Sequence, residues 1–199
     1  MPLPVEQYFS QTGSMRRPLL AWLIVTTGAL FVVTLIFSAP LFAANGHATL
    51  AQSIYHSFSF VCHQLPERSF FIDGHKLAVC SRCTGIYFGS TLTLLLYPLL
   101  KSLRVSHTPS RKWLIAAAIP LAIDFLLTFV GVWENTHTTR FVTGFILGCV
   151  VVFYVMPGVV ELSFRSWSRH ARRVPETPPV VTKPLALGRS DYSAPERRI

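Results

Sequence analysis

Long apolar runs separated by polar loops dominate this chain. The first run, 19–42, contains no charged residue. As a helix it would be about 36 Å long, enough to cross a hydrocarbon core of about 30 Å. Further apolar runs lie at about 84–100, 113–133 and 141–162, and tryptophans of the kind found at membrane interfaces bound the third. The pattern predicts an all-α membrane protein with four transmembrane helices.

The first run is also open to a different interpretation, because Ala43 and Ala44 could form a signal-peptide cleavage site. The apolar part of a signal peptide is usually about 7–15 residues long, and this run is much longer. We therefore predict an uncleaved anchor preceded by a short cytoplasmic leader, 1–18. The rest of the predicted topology is the same in either case.

The longest loop, 45–82, begins with a segment of helical character. Apolar residues recur there at helical spacing, namely Leu50, Ile54, Phe58 and Val61. Thr49 and Gln52 fit a capping box at the start of this segment. A helix so short and so weakly polar is expected to lie in the membrane interface, in the first outer loop.

Basic residues predict the orientation. One side of the predicted bundle carries Arg16, Arg17, Lys101, Arg104, Arg111, Lys112, Arg165, Arg169, Arg172 and Arg173, and the other carries Arg68, Lys76, Arg82 and Arg140. This excess places both termini in the cytoplasm, with 19–165 as the membrane domain and 166–199 as a basic, proline-rich, disordered tail. The cysteine-containing loop then faces outward from the inner membrane.

Composition agrees with this picture. The chain is 51% hydrophobic and 14% charged, whereas soluble domains carry about 25% charged residues. The net charge of +9 does not indicate nucleic-acid binding, because the charges flank apolar segments and no nucleic-acid motif is present. The expected partner is the lipid bilayer, and a homo-oligomer or a larger membrane complex is not excluded.

Two glycine pairs suggest how the helices pack. Gly85 and Gly89 form a GxxxG motif near the outer end of the second predicted span, and Gly144 and Gly148 form another at matching depth in the fourth. Small residues at this spacing let helix backbones approach closely in lipid. We therefore expect the second and fourth spans to touch just beneath the outer loops.

Three of the four cysteines lie around the start of the second span. Cys62, which is followed by His63, precedes the pair Cys80 and Cys83 with seventeen residues between Cys62 and Cys80, which fits the range of zinc ribbons. Three thiolates and an imidazole satisfy tetrahedral zinc. His75 or His137 could replace His63, because adjacent Cys62 and His63 need an irregular backbone to reach one metal ion.

A redox function is the second interpretation. Cys83 lies at a helix N-terminus beside Arg82, where a thiol pKa is lowered, and exchange with Cys62 as third sulfur is chemically reasonable. In layout the chain resembles the quinone-linked disulfide-bond protein B and vitamin K epoxide reductase type. Its second outer loop lacks their further cysteine pair. A structural disulfide with one spare thiol is a third interpretation, and Cys149 is expected to be inert in the core.

Asp124 is an acidic residue in the middle of the third predicted span. An intramembrane carboxylate costs roughly 2.5–3.5 kcal/mol on insertion scales, so it should face the interior and have a partner. The candidates from sequence are Arg140, Tyr87 and Thr143. Asp124 could be a structural carboxylate or the coupling group of a small transporter or lipid-handling protein.

The chain also resembles a family of small bacterial and archaeal membrane proteins of unknown function. Its signature comprises a Cys-His pair, a following Arg, a Cys-x-Arg-Cys-x-Gly-x-Tyr-x-Gly segment, a later Asp and an Arg-x-x-Thr-Gly segment. The matching residues here are Cys62, His63, Arg68, Cys80, Arg82, Cys83, Gly85, Tyr87, Gly89, Asp124, Arg140, Thr143 and Gly144. The resemblance implies one shared site but no known activity.

Together these features predict an outward-facing metal site, with zinc on Cys62, His63, Cys80 and Cys83. Arg68, Arg82, Tyr87, Asp124 and Arg140 form its expected polar surroundings. A structural ion would hold the loop on the helix ends, whereas in a Lewis-acid role the arginines could hold an anionic lipid headgroup.

Overall fold

The computed structural model of the protein describes residues 16–103, 108–132 and 134–171, with side chains up to residue 162 in the last helix. The helices are α1 (Arg16–Ala44), α2 (Ala48–Ser59), α3 (Ser81–Leu100), α4 (Arg111–Phe129) and α5 (His137–Ala171). Between α2 and α3 lie a 3₁₀ turn (Pro66–Arg68) and two short antiparallel strands, β1 (Phe71–Ile72) and β2 (His75–Lys76). Most of the predicted leader and tail lies outside the described residues.

Four of the five helices, α1, α3, α4 and α5, are long and apolar enough to cross a membrane. This confirms the four predicted spans. α3 and α5 begin earlier than predicted, at Ser81 and His137, so Arg82 and Arg140 lie in the first turns of their helices. α4 ends earlier than predicted, and Gly131 follows with a φ of +74°, a backbone conformation that ends a helix.

Hydrogen bonds between the helices show their relative directions. Near the start of α1, the Trp22 indole donates to the carbonyl of Leu94 near the end of α3, at 2.7 Å. The hydroxyl of Tyr154 in the second half of α5 donates to the carbonyl of Ser110 just before α4, also at 2.7 Å. α1 and α4 therefore run antiparallel to α3 and α5, and α3 and α5 are parallel. The loop 45–80 and the described parts of the second loop, 130–132 and 134–136, lie at one end of the bundle.

α3 and α5 pack backbone to backbone through four glycines. A Cβ added at Gly85, Gly89, Gly144 or Gly148 would collide with a backbone carbonyl oxygen of the facing helix, at Phe141, Phe145, Arg82 and Ile86 respectively. This is the close approach that small residues permit in membrane helices. The sulfur of Cys149 lies in the same interface, 3.5 Å from the carbonyl of Gly89.

α2 follows α1 after a tight turn at Gly46, whose φ is +79°. His47 occupies the N-cap position without a side-chain capping bond, so the predicted Thr49–Gln52 capping box is wrong. The amide of Ala51 bonds to the carbonyl of His47, which starts the helix through the backbone. The location of α2 in the interface stays a prediction.

The segment before α3 is unusually buried for a loop. Leu77, Ala78 and Val79 are at most 2% exposed and pack with Ile36, Ala39 and Phe58. A tight turn at Asp73 and Gly74, both with positive φ, reverses the chain between β1 and β2 and directs it into this core. Because residues 77–79 are fixed in this core, the position of Cys80 at the N-terminus of α3 is fixed as well.

Candidate metal centre

Cys62 follows α2 and is oriented by a sharp turn. Gln64 has a φ of +51° and is buried, and its side-chain amide donates to the carbonyl of Tyr55 at 2.6 Å. The ammonium group of Lys76 donates to the carbonyl of Gln64 at 2.7 Å, which ties the turn to β2. Cys62 itself is 6% exposed and belongs to the core beneath the loop.

The other two cysteines lie on the first turn of α3. Cys80 is the N-cap residue, and Cys83 follows three positions later. The backbone amide of Cys80 donates to the sulfur of Cys62 at 3.2 Å, and the sulfurs of Cys80 and Cys83 are 3.5 Å apart. All three sulfurs lie within 4.8 Å of one another, so the group could hold a metal ion.

The spacing of these sulfurs suits zinc. With Zn–S bonds of about 2.3 Å, tetrahedral ligands lie about 3.8 Å apart. The three thiols need only small movements to reach that distance, and a fourth position stays open. Hydrogen bonds with the thiols of Cys62 and Cys83 hold the pKa of the Cys80 thiol well below its usual value, which favours a thiolate at Cys80, one of the three sulfurs in the group.

The histidines stand apart from the three thiols. His63 is exposed, and its ring nitrogens are not among the clustered ligand atoms, although it lines the same cavity. His75 is exposed in β2. Nδ1 of His137 instead bonds to the hydroxyl of Ser81 at 3.0 Å. Of the predicted four ligands, the structure thus brings together the three cysteines and leaves His63 outside the group.

A cavity of about 610 Å³ opens beside the thiols. Its polar lining comprises Cys62, Cys80, Cys83, His63, Gln64, Arg68, Arg82, Thr128, Asn135 and Arg140. Ile86, Phe125 and Phe129 contribute an apolar wall. Three of the five predicted surrounding residues line this cavity. Tyr87 does not, and its ring packs edge-on against Phe58 with centroids 6.4 Å apart.

Asp124 pairs with Arg82, which was predicted nearby but not as the partner. The carboxylate of Asp124 is buried at 9% exposure, and Nη2 of Arg82 donates to its Oδ2. The guanidinium group also lies 6.0 Å from the ring centroid of Phe125. The candidate partners Arg140, Tyr87 and Thr143 are not bonded to Asp124 within the part of the chain that the structure describes.

Sequence reasoning missed two residues that organise this end of the bundle. The fully buried Ser81 donates its hydroxyl to the carbonyl of Arg68 at 2.9 Å and is bonded by His137, so it joins three elements. The side-chain amide of Asn135 donates to the carbonyl of Asp124 at 2.6 Å. Ser81 is a polar residue at the start of a helix, and this pattern in the sequence could have indicated that it forms a hydrogen bond there.

Four apolar helices and three converging thiols define a small helical membrane protein with a thiol-rich site at one end. The chain belongs to the family described as "Predicted membrane protein (DUF2085)", which matches residues 62–154. The expected membership of a family of uncharacterised membrane proteins is thereby confirmed. The matched part begins at Cys62 and includes Asp124 and Arg140.

Two archaeal relatives support this assignment. An uncharacterized protein of Methanocaldococcus jannaschii is 40% identical over 151 residues, which cover 73% of this chain and 97% of the relative. An uncharacterized protein of Methanothermobacter thermautotrophicus is 41% identical over 88 residues, covering 44% of this chain and 77% of the relative. No solved structure matches the chain.

Proposed function

We propose that this protein is an integral membrane protein that holds one zinc ion on Cys62, Cys80 and Cys83. The convergence of three sulfurs within 4.8 Å at the N-terminus of α3 carries this proposal. Zinc favours thiolate ligands, and the start of a helix stabilises their negative charge. The ligands come from both ends of the loop 62–80, so the ion would hold that loop against the N-terminus of α3.

The fourth coordination position can be filled in two ways. His63 lies at the edge of the same cavity and would need to move to reach the ion. Otherwise the position is open to water or to a ligand in the cavity, as in catalytic zinc sites. We favour a structural role for the ion, because Cys62 belongs to a buried core and Cys80 is held by a backbone hydrogen bond to it.

Metal analysis of the detergent-purified protein tests the proposal. We expect about one zinc ion per chain in the wild type and almost none in the Cys80→Ser/Cys83→Ser variant, since two of three thiolate ligands are lost. His63→Ala should retain most of the zinc if the three thiols suffice. Cys149→Ser is the matched control, because this thiol lies away from the cluster in the α3–α5 interface.

A second candidate function, thiol–disulfide exchange, is favoured by the short distance of 3.5 Å between the sulfurs of Cys80 and Cys83. The lowered pKa of Cys80 suits that chemistry as well. Metal-free wild-type protein with a reducible disulfide between these two residues would contradict the zinc proposal and support exchange. Purification with and without reductant separates the two cases.

We also propose that the cysteine end of the bundle faces outward from the inner membrane, on the basis of the distribution of lysine and arginine. After metal stripping and reduction, an impermeant maleimide added to intact cells should label Cys80, which is partly exposed. The measurement uses a Cys149→Ser background. Labelling that requires cell lysis would reverse the proposed orientation.

A further inference from the structure

We infer that the cavity beside the three thiols binds a phosphate-type oxyanion, held mainly by Arg140 and Arg68. The inference extends the proposed metal centre to a ligand of the same cavity. Its evidence is separate, because it comes from the arginines and from unsatisfied polar atoms rather than from the cysteines.

The positive charge of the cavity is only partly compensated. Three guanidinium groups line it, and Arg82 alone of the three has a carboxylate partner within the described ranges. Arg140 is partly buried; Arg68 and Arg82 repel its charge, whereas Asp124 and Cys80 attract it. Like charges brought together in this way destabilise the protein unless a negative charge lies between them. An anion in the cavity would provide it.

Unsatisfied polar atoms are concentrated at the same place. Among the described residues, four buried side-chain polar atoms lack a hydrogen-bond partner, and three of them belong to residues that line this cavity. They are Nε of Arg82, Nε of Arg140 and Oδ1 of Asn135. Buried polar atoms normally have partners, so this clustering indicates a polar ligand or ordered water. Two of the three atoms are donors, and they belong to guanidinium groups that line the cavity.

Several features favour phosphate over other anions. Guanidinium groups match the oxygens of phosphate in geometry, and two of them without a carboxylate partner suit its several oxygens better than the two of a carboxylate. The N-termini of the parallel helices α3 and α5 lie at this end of the bundle, and their dipoles favour a negative charge. The volume of about 610 Å³ also leaves room for a substituent next to the apolar wall.

The backbone segments that carry the arginines are tied to one another. The carbonyl of Arg68 accepts the Ser81 hydroxyl, and Ser81 is bonded to His137 in the first turn of α5. Arg140 lies three positions after His137 on α5 and directly precedes Phe141, whose backbone carbonyl packs against Gly85 of α3. A pre-formed group of positive charges binds an anion without a large conformational cost.

Binding to the full-length protein in neutral detergent micelles tests the inference in two arms. Inorganic phosphate is titrated calorimetrically in one arm. In the other, dioleoyl phosphatidic acid is added in mixed micelles, with dioleoyl phosphatidylcholine as the lipid control. We expect saturable binding in at least one arm, weakened about tenfold or more by Arg140→Gln, since a charged hydrogen-bond donor is lost. Arg111→Gln, an exposed arginine at the start of α4, is the matched control.

The outcomes distinguish the sources of the phosphate group. Binding of phosphate without preference for phosphatidic acid indicates a free phosphate or phosphate ester, and binding of phosphatidic acid alone indicates a lipid headgroup. Absence of binding in both arms overturns the inference, as does unchanged affinity in Arg140→Gln. If that variant does not fold, Arg68→Gln replaces it, because Arg68 is exposed and its loss should not affect folding.

Zinc is measured in the same samples, so that the two proposals fail separately. The arginine variants should keep their zinc while losing affinity for phosphate. A metal-free wild type that still binds phosphate through Arg140 would contradict the metal centre and leave the anion site supported. A zinc-loaded protein that binds no phosphate would contradict the anion site alone.

Discussion

Replacing Gly144 with alanine is expected to lower the free energy of unfolding by about 1–3 kcal/mol, the usual cost of overfilling a packed interface. The added Cβ would collide with the carbonyl oxygen of Arg82 on the facing helix. Backbone atoms cannot rotate away as the end of a side chain can, so α3 and α5 must separate. Unfolding in mixed micelles with increasing dodecyl sulfate, followed by circular dichroism, measures the change.

The same substitution should also lower zinc occupancy. Gly144 contacts the first turn of α3, where Arg82 lies between Cys80 and Cys83, so a displaced turn moves two proposed ligands. Gly158→Ala is the control on the same helix, since nothing lies within 4 Å of its added Cβ. That variant should be as stable as the wild type or slightly more stable, because alanine favours helix over glycine. Equal stability of both variants would show that the glycine contact is not tight.

Replacing Asp124 with asparagine is the second change with a large expected effect. The carboxylate is 9% exposed and pairs with Arg82, whose side chain is 22% exposed. Removing one member of a buried ion pair leaves the other charge uncompensated and costs about 3–5 kcal/mol. We expect a loss near the lower end of that range, because water still reaches part of the Arg82 guanidinium group.

A double-mutant cycle isolates the pair from other effects of the substitution. Asp124→Asn combined with Arg82→Gln should cost less than the sum of the two single changes, since neither charge is then left alone. Asp73→Asn is the control carboxylate, as it lies exposed in the turn between β1 and β2 and should change stability little. A strictly additive cycle would show that the two groups do not interact energetically.

The membrane helices could be predicted because hydropathy acts over their whole length. The four apolar runs are long enough to be recognised as membrane-spanning helices without any tertiary information. Their ends were less predictable. α3 extends back to Ser81 and α5 to His137, through polar residues that hydropathy assigns to loops. Ser81 and His137 are held there because they bond to each other and the Ser81 hydroxyl also donates to the carbonyl of Arg68, which is a tertiary effect.

The candidate site was predictable in part for a similar reason. The ligand-like spacing of Cys62, Cys80 and Cys83 suggested that their sulfurs would meet, and the structure places them together. The pairing of Asp124 with Arg82 could not be predicted, because it depends on the rotation of α4 about its axis. The position of His63 depends on the positive φ of Gln64, for which the sequence offers no clear signal. Metal binding by the three cysteines and His63 stays a prediction.

The thiols and the later charged residues at this end of the bundle are synthesised at different times. All three clustered cysteines precede the second turn of α3, whereas Asp124 and Arg140 follow on the last two membrane helices. Because synthesis proceeds from the N-terminus, the thiol cluster can form after two helices have been inserted. At that stage of synthesis Arg82 lies beside the three thiols, and its carboxylate partner Asp124 has not yet been inserted. Insertion of α4 and α5 would then bring Asp124 and Arg140 to the end of the bundle where the three thiols already lie.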